Sequence, residues 1–229
     1  MMRAYPLLAG ATLAIALIST AAIANVVVVK SIGPSAKAYP RGKTLPAAAK
    51  IKLQGGDVVT ILGPGAAQTF RGPGDFGTTQ ISLDSAAAQR GRFGALRTGK
   101  VAHSPSIWDI DVTQSGNVCV VDAKKVQLWR PDSELAETIE IRDSHGNSQK
   151  LSWAQGKALA AWPAALPVNS DSQYQIVSSA RPDKSNLKLV GVQSVPSDMV
   201  ATAQLLIQNG CENQLDLLVS DVNKAGPAK

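Results

Sequence analysis

Two cysteines are the residues whose chemistry is most narrowly defined. Cys119 and Cys211 are the only cysteines of the 229-residue chain, and they lie far apart in it. An even cysteine count with such spacing favours one intramolecular disulfide in an oxidising compartment. The alternatives are two buried free thiols or a reactive pair, and a Cys-x-x-Cys redox motif is absent. We therefore predict a structural disulfide that ties the C-terminal segment to the second β region.

Residues able to catalyse a reaction are few. The chain has two histidines, His103 and His145. Asp143, Ser144 and His145 have the residue types of a nucleophilic triad, but neighbours on one tight turn cannot point at one another as a proton relay requires. The sequence therefore predicts no catalytic residue.

Metal and cofactor motifs are equally sparse. Asp109 and Asp111 alternate onto one face of a predicted strand and could touch calcium, yet two carboxylates without a liganding loop make a weak site. His and Cys spacings typical of zinc sites are missing, and the Gly-Pro-Gly turns at 63–65 and 72–74 lack the lysine of a phosphate-binding loop. We predict no metal and no cofactor.

A basic stretch lies between the two halves of the chain. Its cations, which no acid accompanies, are Arg90, Arg92, Arg97 and Lys100. Arginines interleaved with glycine and an aromatic residue can hold an anion, while the simpler interpretation is a solvated linker. If these residues bind a ligand, lipopolysaccharide or another cell-envelope anion is favoured over nucleic acid, which normally meets a larger basic field.

The N-terminus has the pattern of an export signal. Arg3 precedes an uncharged run over residues 4–29, and Ala22-Ile23-Ala24 has the small-x-small form that signal peptidases recognise. We expect cleavage before Asn25 and a bacterial periplasmic or secreted location. The alternative is an uncleaved membrane anchor over residues 4–26, because about 20 apolar residues span a bilayer.

Short strands separated by glycine-rich turns are predicted in the first half. They cover residues 26–32, 50–53, 58–62 and 67–70, and the last two form a hairpin. Residues 53–60 have the sequence LQGGDVVT, and two Gly-Pro-Gly turns follow. This order of strands and glycine-rich turns resembles that of FecR-like domains, the periplasmic β modules named after the iron-dicitrate sensor. The resemblance implies a non-enzymatic module with a binding or interaction role.

The second half alternates polar and apolar residues over six or seven short segments. Strands are predicted at residues 106–112, 117–121, 126–129, 138–142 and 150–153, with a final pair at 158–162 and 174–178. This density of strands favours an immunoglobulin-like sandwich, in which the four tryptophans belong to the core more readily than to a sugar-binding platform.

Helical patterns follow residue 180. After a strand at 187–192, Asp198 is placed to cap a helix over 199–208, and Asn209-Gly210 ends it. A second short helix is predicted at 212–219, with a frayed tail over 223–229.

These patterns predict a mainly β fold built from two small β modules, FecR-like and then immunoglobulin-like, with C-terminal helices. The expected segments are a signal peptide (1–24), a FecR-like module (25–80), a basic linker with a short helix (81–104), a Trp-rich sandwich (105–180), a C-terminal strand with helices (181–222) and a tail (223–229). We expect a non-catalytic cell-envelope protein that binds a protein, a glycan or an anionic surface. A cell-wall-modifying hydrolase is the alternative.

Overall fold

The computed structural model describes residues 25–78 and 104–225. Within these ranges the protein is mainly β and ends in two helices, which confirms the predicted fold class. The predicted signal peptide, the basic cations Arg90, Arg92, Arg97 and Lys100, and the last four residues of the tail lie outside the described residues.

Six strands form the N-terminal part. They are β1 (Val26–Ile32), β2 (Thr44–Leu45), β3 (Lys50–Leu53), β4 (Val58–Gly63), β5 (Ala66–Arg71) and β6 (Gly74–Gly77). A four-stranded sheet has the order β2-β1-β4-β5, and β3 pairs with β6 in a second small sheet. The four predicted strands are confirmed, and the β4–β5 hairpin with them. The two short strands β2 and β6 were not predicted.

The valine run of β1 is buried on both faces of its sheet. Val26 and Val28 pack into the core between the two N-terminal sheets, together with Ile51, Ile61 and Phe70. Val27 and Val29 point the other way, into a second apolar cluster that contains the C-terminal helices. A strand covered on both faces needs apolar residues at every position, which explains why the sequence does not alternate here.

Eight further strands form a two-layer sandwich. They are β7 (Ile110–Asp111), β8 (Gly116–Val120), β9 (Gln127–Trp129), β10 (Glu137–Asp143), β11 (Ser148–Trp153), β12 (Leu159–Ala161), β13 (Gln173–Ser178) and β14 (Lys184–Gly191). The larger sheet has the order β11-β10-β13-β14-β8 and the smaller one β12-β9-β7, with one shared core between them. The pairs β14–β8 and β7–β9 are parallel, unlike the antiparallel sheets of immunoglobulin domains.

Two details of the predicted sandwich are wrong. The strand expected over 106–112 is reduced to β7, because the Ser106 hydroxyl accepts from the N–H of Trp108 and the Ser104 hydroxyl donates to Asp109, which holds the chain in a turn. The segments 158–162 and 174–178 do not pair with each other. Instead, β12 pairs with β9 while β13 lies between β10 and β14, since the proline-bearing loop crosses from one sheet to the other.

The two helices follow the sandwich. Helix α1 (Met199–Gln208) has the predicted bounds and the predicted cap, in which Asp198 Oδ1 accepts from the N–H of Ala201 at 2.8 Å. Helix α2 (Glu212–Ala225) is longer than predicted and includes the first residues of the expected frayed tail. Its apolar stripe continues from Leu215 through Leu218 to Val222, which is buried and holds the extra turn in place.

The helices join the two β parts of the molecule. Residues of α1 and α2 share one apolar cluster with Val27, Val29 and Leu62 of the N-terminal sheet and with Cys119 of β8. The predicted disulfide between Cys119 and Cys211 is confirmed and lies fully buried in this cluster. It connects residues 92 positions apart, and closing such a loop stabilises a fold by about 4–5 kcal/mol in chain-entropy models. We call this cluster the helical joint.

Gln214 of α2 also bonds to Cys119 of β8 and so reinforces the helical joint. Its Oε1 accepts from the N–H of Cys119 at 2.6 Å, while its Nε2 donates to the carbonyls of Cys119 and Ile107, each at 2.9 Å. One side-chain amide thus pairs with the outer edge of β8 as a neighbouring strand would. Nearby, Asn213 donates to the carbonyl of Ser115 at 3.0 Å. This role of Gln214 was not predicted from the sequence.

Asp57 fixes the turn on which the FecR-like resemblance rests. Its buried carboxylate accepts from the N–H groups of Ser35 at 2.9 Å and Gln54 at 2.5 Å. Burial raises the pKa of Asp57, but the hydrogen bonds from Ser35 and Gln54 outweigh it and leave that pKa below its ordinary value. Gly33 approaches the same carboxylate with φ of 105°, and a Cβ there would lie 2.5 Å from Asp57 Oδ1. The aspartate therefore pins the chain after β1 to the β3–β4 turn.

The Gln214→Leu variant tests the joint. It keeps the side chain's size but leaves the N–H of Cys119 and two carbonyls without partners, which we expect to lower the free energy of unfolding by on the order of 3 kcal/mol. Denaturant unfolding measures the change. Gln208→Leu is the matched control, because Gln208 is exposed on α1 and its replacement should change stability by less than about 0.5 kcal/mol. Equal losses in the two variants would contradict the role given to Gln214.

The Asp57→Asn variant tests the turn. An amide presents a donor to a backbone N–H, so we expect a Tm several degrees below that of the wild type at neutral pH. Because the folded-state pKa of Asp57 is lowered, its stabilising effect is present above the unfolded-state pKa near 4 and is lost as pH falls through the folded-state value.

Thermal unfolding across pH measures this dependence. The difference in Tm between wild type and Asp57→Asn should stay constant from about pH 5 to 8 and shrink below about pH 4. Asp75→Asn, at an exposed position of β6, is the control and should differ little from wild type. A gap that persists unchanged at low pH would show that the carboxylate's charge is not what stabilises the turn.

Candidate functional site

A polar groove crosses the outer face of the five-stranded sheet. Strand register places side chains of neighbouring strands in two parallel rows, one of Arg142, Gln175 and Asn186 and the other of Gln173, Lys188 and Asn117. The rows are two residues apart along the strands, a separation of about 7 Å. We call the space between them the amide groove, because four of its six wall side chains are carboxamides.

The floor of the amide groove is the sheet backbone. Tyr174 and Leu187 lie between the two rows and point into the sandwich core, where both are buried. Gly116 of β8 continues this middle row beside α2. The groove has a volume of about 380 Å³, which is within the range of small-molecule binding sites. It spans four strands and ends at the turn that follows β10.

Both cations of the groove walls have carboxylate partners. Arg142 donates to Glu140 at 2.7 Å, and Lys188 Nζ lies 2.9 Å from a carboxylate oxygen of Asp171. The hydrogen bond from Arg142, assisted by one from Ser148, holds the pKa of Glu140 below its ordinary value. These pairs leave the walls with little uncompensated positive charge.

The carboxamides are only partly engaged. Gln175 Nε2 donates to Asn186 Oδ1 at 3.2 Å, and Asn117 Nδ2 donates to the carbonyl of Asn209 at 2.9 Å. Within the described part of the chain, the Nδ2 of Asn186, the oxygens of Gln175 and Asn117, and both ends of the Gln173 amide have no hydrogen-bond partner in the protein. The groove therefore offers donors and acceptors side by side.

Asp143 holds the turn at the end of the groove. Its carboxylate accepts from the side chain of Asn147 at 2.8 Å and from the N–H groups of His145 and Asn147 at 2.9 Å. The Asn147 bond, opposed by burial and assisted by the backbone bonds, lowers the pKa of Asp143. The ring of His145 is exposed, with its Nδ1 3.9 Å from Asp143. Asp143 thus organises a turn.

An acidic cleft lies on the other side of β8. It has a volume of about 320 Å³ between α2 and the start of the sandwich, and Asp109, Asp111 and Asp216 line it. Asp109 accepts from the Ser104 hydroxyl at 2.8 Å, and Asp111 accepts from the backbone and hydroxyl of Thr113. Asp109 and Asp111 were predicted to lie on one face of a strand. The structure instead brings them together in a cleft, with Asp109 in a turn before β7.

A buried arginine, Arg130, stabilises the loops beside the start of β10. Arg130 donates to the carbonyls of Leu135, Lys157 and Ala154 and lies 3.4 Å from Glu137. Its guanidinium also lies 5.5 Å from the centre of the Trp153 ring. Because each of these contacts is internal, Arg130 has a structural role.

The tryptophans belong to packed interiors. Trp153 and Trp162 are buried in the sandwich core, and the ring of Trp162 meets Tyr174 edge to face. Trp129 of β9 is also buried and lines the acidic cleft. Trp108 does not lie on the strand face predicted for it. It is half-buried and packs against the helical joint. None of the four lines the amide groove.

The amide groove was not predicted from the sequence. Its signal was present as the alternating polar residues Gln173 and Gln175 on β13 and Asn186 and Lys188 on β14. Alternation gives the face on which a side chain lies, but not the neighbouring strand. The predicted disulfide residues lie in the joint, and the predicted anion-binding cations are outside the described residues.

Comparison with known proteins adds no assignment, since no protein-family model, curated protein or solved structure matches the chain. Within residues 25–78 and 104–225, no helix has the length and apolar character needed to cross a bilayer. In the same part of the chain, no three His, Cys, Asp or Glu side chains are grouped to hold a metal ion. The disulfide is typical of an oxidising location outside the cytoplasm.

Proposed function

We propose that the protein is an exported, non-catalytic binding protein of the bacterial cell envelope and that the amide groove is its ligand site. The observation that carries the proposal is the pairing of two polar rows across four strands over a closed backbone floor. Such a surface supplies many directional hydrogen-bonding groups on a rigid element, which suits recognition of a ligand.

The contacts that hold β8 beside the groove also support a binding role outside the cytoplasm. A buried disulfide and the Gln214 bonds fix β8, the strand that closes one end of the groove. A wall held in place by the fold loses little conformational freedom when a ligand binds. The export pattern and the FecR-like resemblance of the N-terminal part agree with an envelope binding module, because FecR-like modules are non-enzymatic.

The acidic cleft favours a second candidate function, a cell-wall-modifying hydrolase. Glycoside hydrolysis uses two carboxylates that face each other across the scissile bond. Asp109, Asp111 and Asp216 supply three carboxylates to one cleft, above the apolar side chains of Ile107 and Leu217. Among residues 25–78 and 104–225, this cleft gives the alternative its specific residues.

Photo-crosslinking in intact cells tests the binding proposal. The full chain carries p-benzoylphenylalanine in place of Gln173, inside the groove, or in place of Lys184, on the same face of β14 but outside it. We expect a crosslinked envelope component from the position at Gln173 and at least about tenfold less from the position at Lys184. Equal capture from both positions, or none from either, would overturn the groove as the ligand site.

A turnover assay with purified sacculi tests the alternative. Wild type and the Asp216→Asn variant are incubated with sacculi, and released sugar fragments are counted. The binding proposal predicts no release by either protein. Release by the wild type that Asp216→Asn abolishes would replace it with the hydrolase.

A further inference from the structure

We infer that the ligand of the amide groove is a neutral glycan strand rich in hydroxyl or acetamido groups. This inference rests on the proposed function and adds the chemical class of the ligand. Three properties of the groove lead to it, namely its closed floor, its compensated charge and its carboxamide walls.

The floor excludes recognition by strand addition. An extended peptide that joins a sheet needs a free strand edge with unpaired N–H and C=O groups. The groove instead runs across β10, β13, β14 and β8. The backbone groups of β10, β13 and β14 are paired within the sheet, and side chains of helix α2 bond to the outer edge at β8. A peptide lying across them would find no backbone partners.

The walls also lack anchors for a protein partner. Protein interfaces depend on aromatic or aliphatic side chains inserted in apolar pockets. Tyr174 and Leu187 are the large apolar residues beneath the groove, and both face the core. Most of the polar side chains that line the two walls are carboxamides, and each amide combines a donor and an acceptor. Hydroxyl and acetamido groups have the same double character, so a glycan matches the walls along its length.

The charges favour a neutral chain. Arg142 and Lys188, the cations of the two walls, are already paired with Glu140 and Asp171. An anionic ligand would have to compete with these carboxylates and would meet Asp143 at the end of the groove. A neutral ligand can use the remaining N–H groups without breaking either pair.

Nuclear magnetic resonance provides a direct test, because side-chain amides of Asn and Gln give their own signals. The chain without its predicted signal peptide, residues 25–229 with the disulfide formed, is titrated with neutral hexasaccharides of N-acetylglucosamine and of glucose. A hexamer of galacturonic acid is the anionic comparison. We expect at least one neutral hexamer to shift the side-chain signals of Gln173 and Asn186 and to bind more tightly than the acidic one.

Binding by alanine variants and at raised salt concentration tests the same inference. Gln173→Ala and Asn186→Ala should each weaken binding roughly tenfold, the loss expected for one unreplaced hydrogen-bonding group. Lys184→Ala, the control on the same face of β14, should bind as the wild type does. Raising NaCl from about 50 to 300 mM should change the affinity less than about twofold, because screening acts on charges. Unchanged Tm values confirm that the variants fold.

The outcomes separate this inference from the proposed function. Tighter binding of the acidic hexamer with a steep loss in salt would overturn neutrality, and no binding of either neutral hexamer would overturn the glycan class. If the crosslink from the position at Gln173 captures a protein, the binding function stands and the glycan inference falls. If that position captures nothing specific, both fall.

Discussion

The attachment of helix α2 to one residue of β8 is the contact on which the rest of the structure depends. Cys119 is bound there twice, through its sulfur to Cys211 and through its backbone to the side chain of Gln214. Around this point the two helices cover Val27 and Val29 of the N-terminal sheet. Without the attachment, the outer face of that sheet and the outer edge of β8 would both meet water.

The same attachment determines which part of the five-stranded sheet stays open. Helix α2 covers the end of the outer face at β8, where Cys119 is fully buried, and leaves the rows on β10, β13 and β14 uncovered. Had the helices packed over the middle of this face, positions such as Gln175 and Asn186 would need apolar residues. The polar sequence of β13 and β14 and the position of the helices are therefore two consequences of one packing arrangement.

Local sequence signals predicted much of the fold. The Asp198 cap and Asn209-Gly210 gave both ends of helix α1, and glycine-rich turns separated the N-terminal strands, because these signals act within a few residues. Cysteine count and export together predicted the disulfide. The groove was beyond such reasoning, since Asn117 joins its second wall only through the parallel pairing of β8 with β14, strands some 70 residues apart that share no turn.

β8 links the two open sites of the molecule. Gly116 and Asn117 border the amide groove, while Val118 and the neighbouring residues of α2 border the acidic cleft. Asn213 of α2 bonds to Ser115, the residue before β8, and Gln214 bonds to Cys119 within it, so α2 holds the strand on either side of Asn117. A wall fixed in this way keeps one geometry, so a ligand of the kind proposed for the groove would spend little of its binding free energy on ordering it.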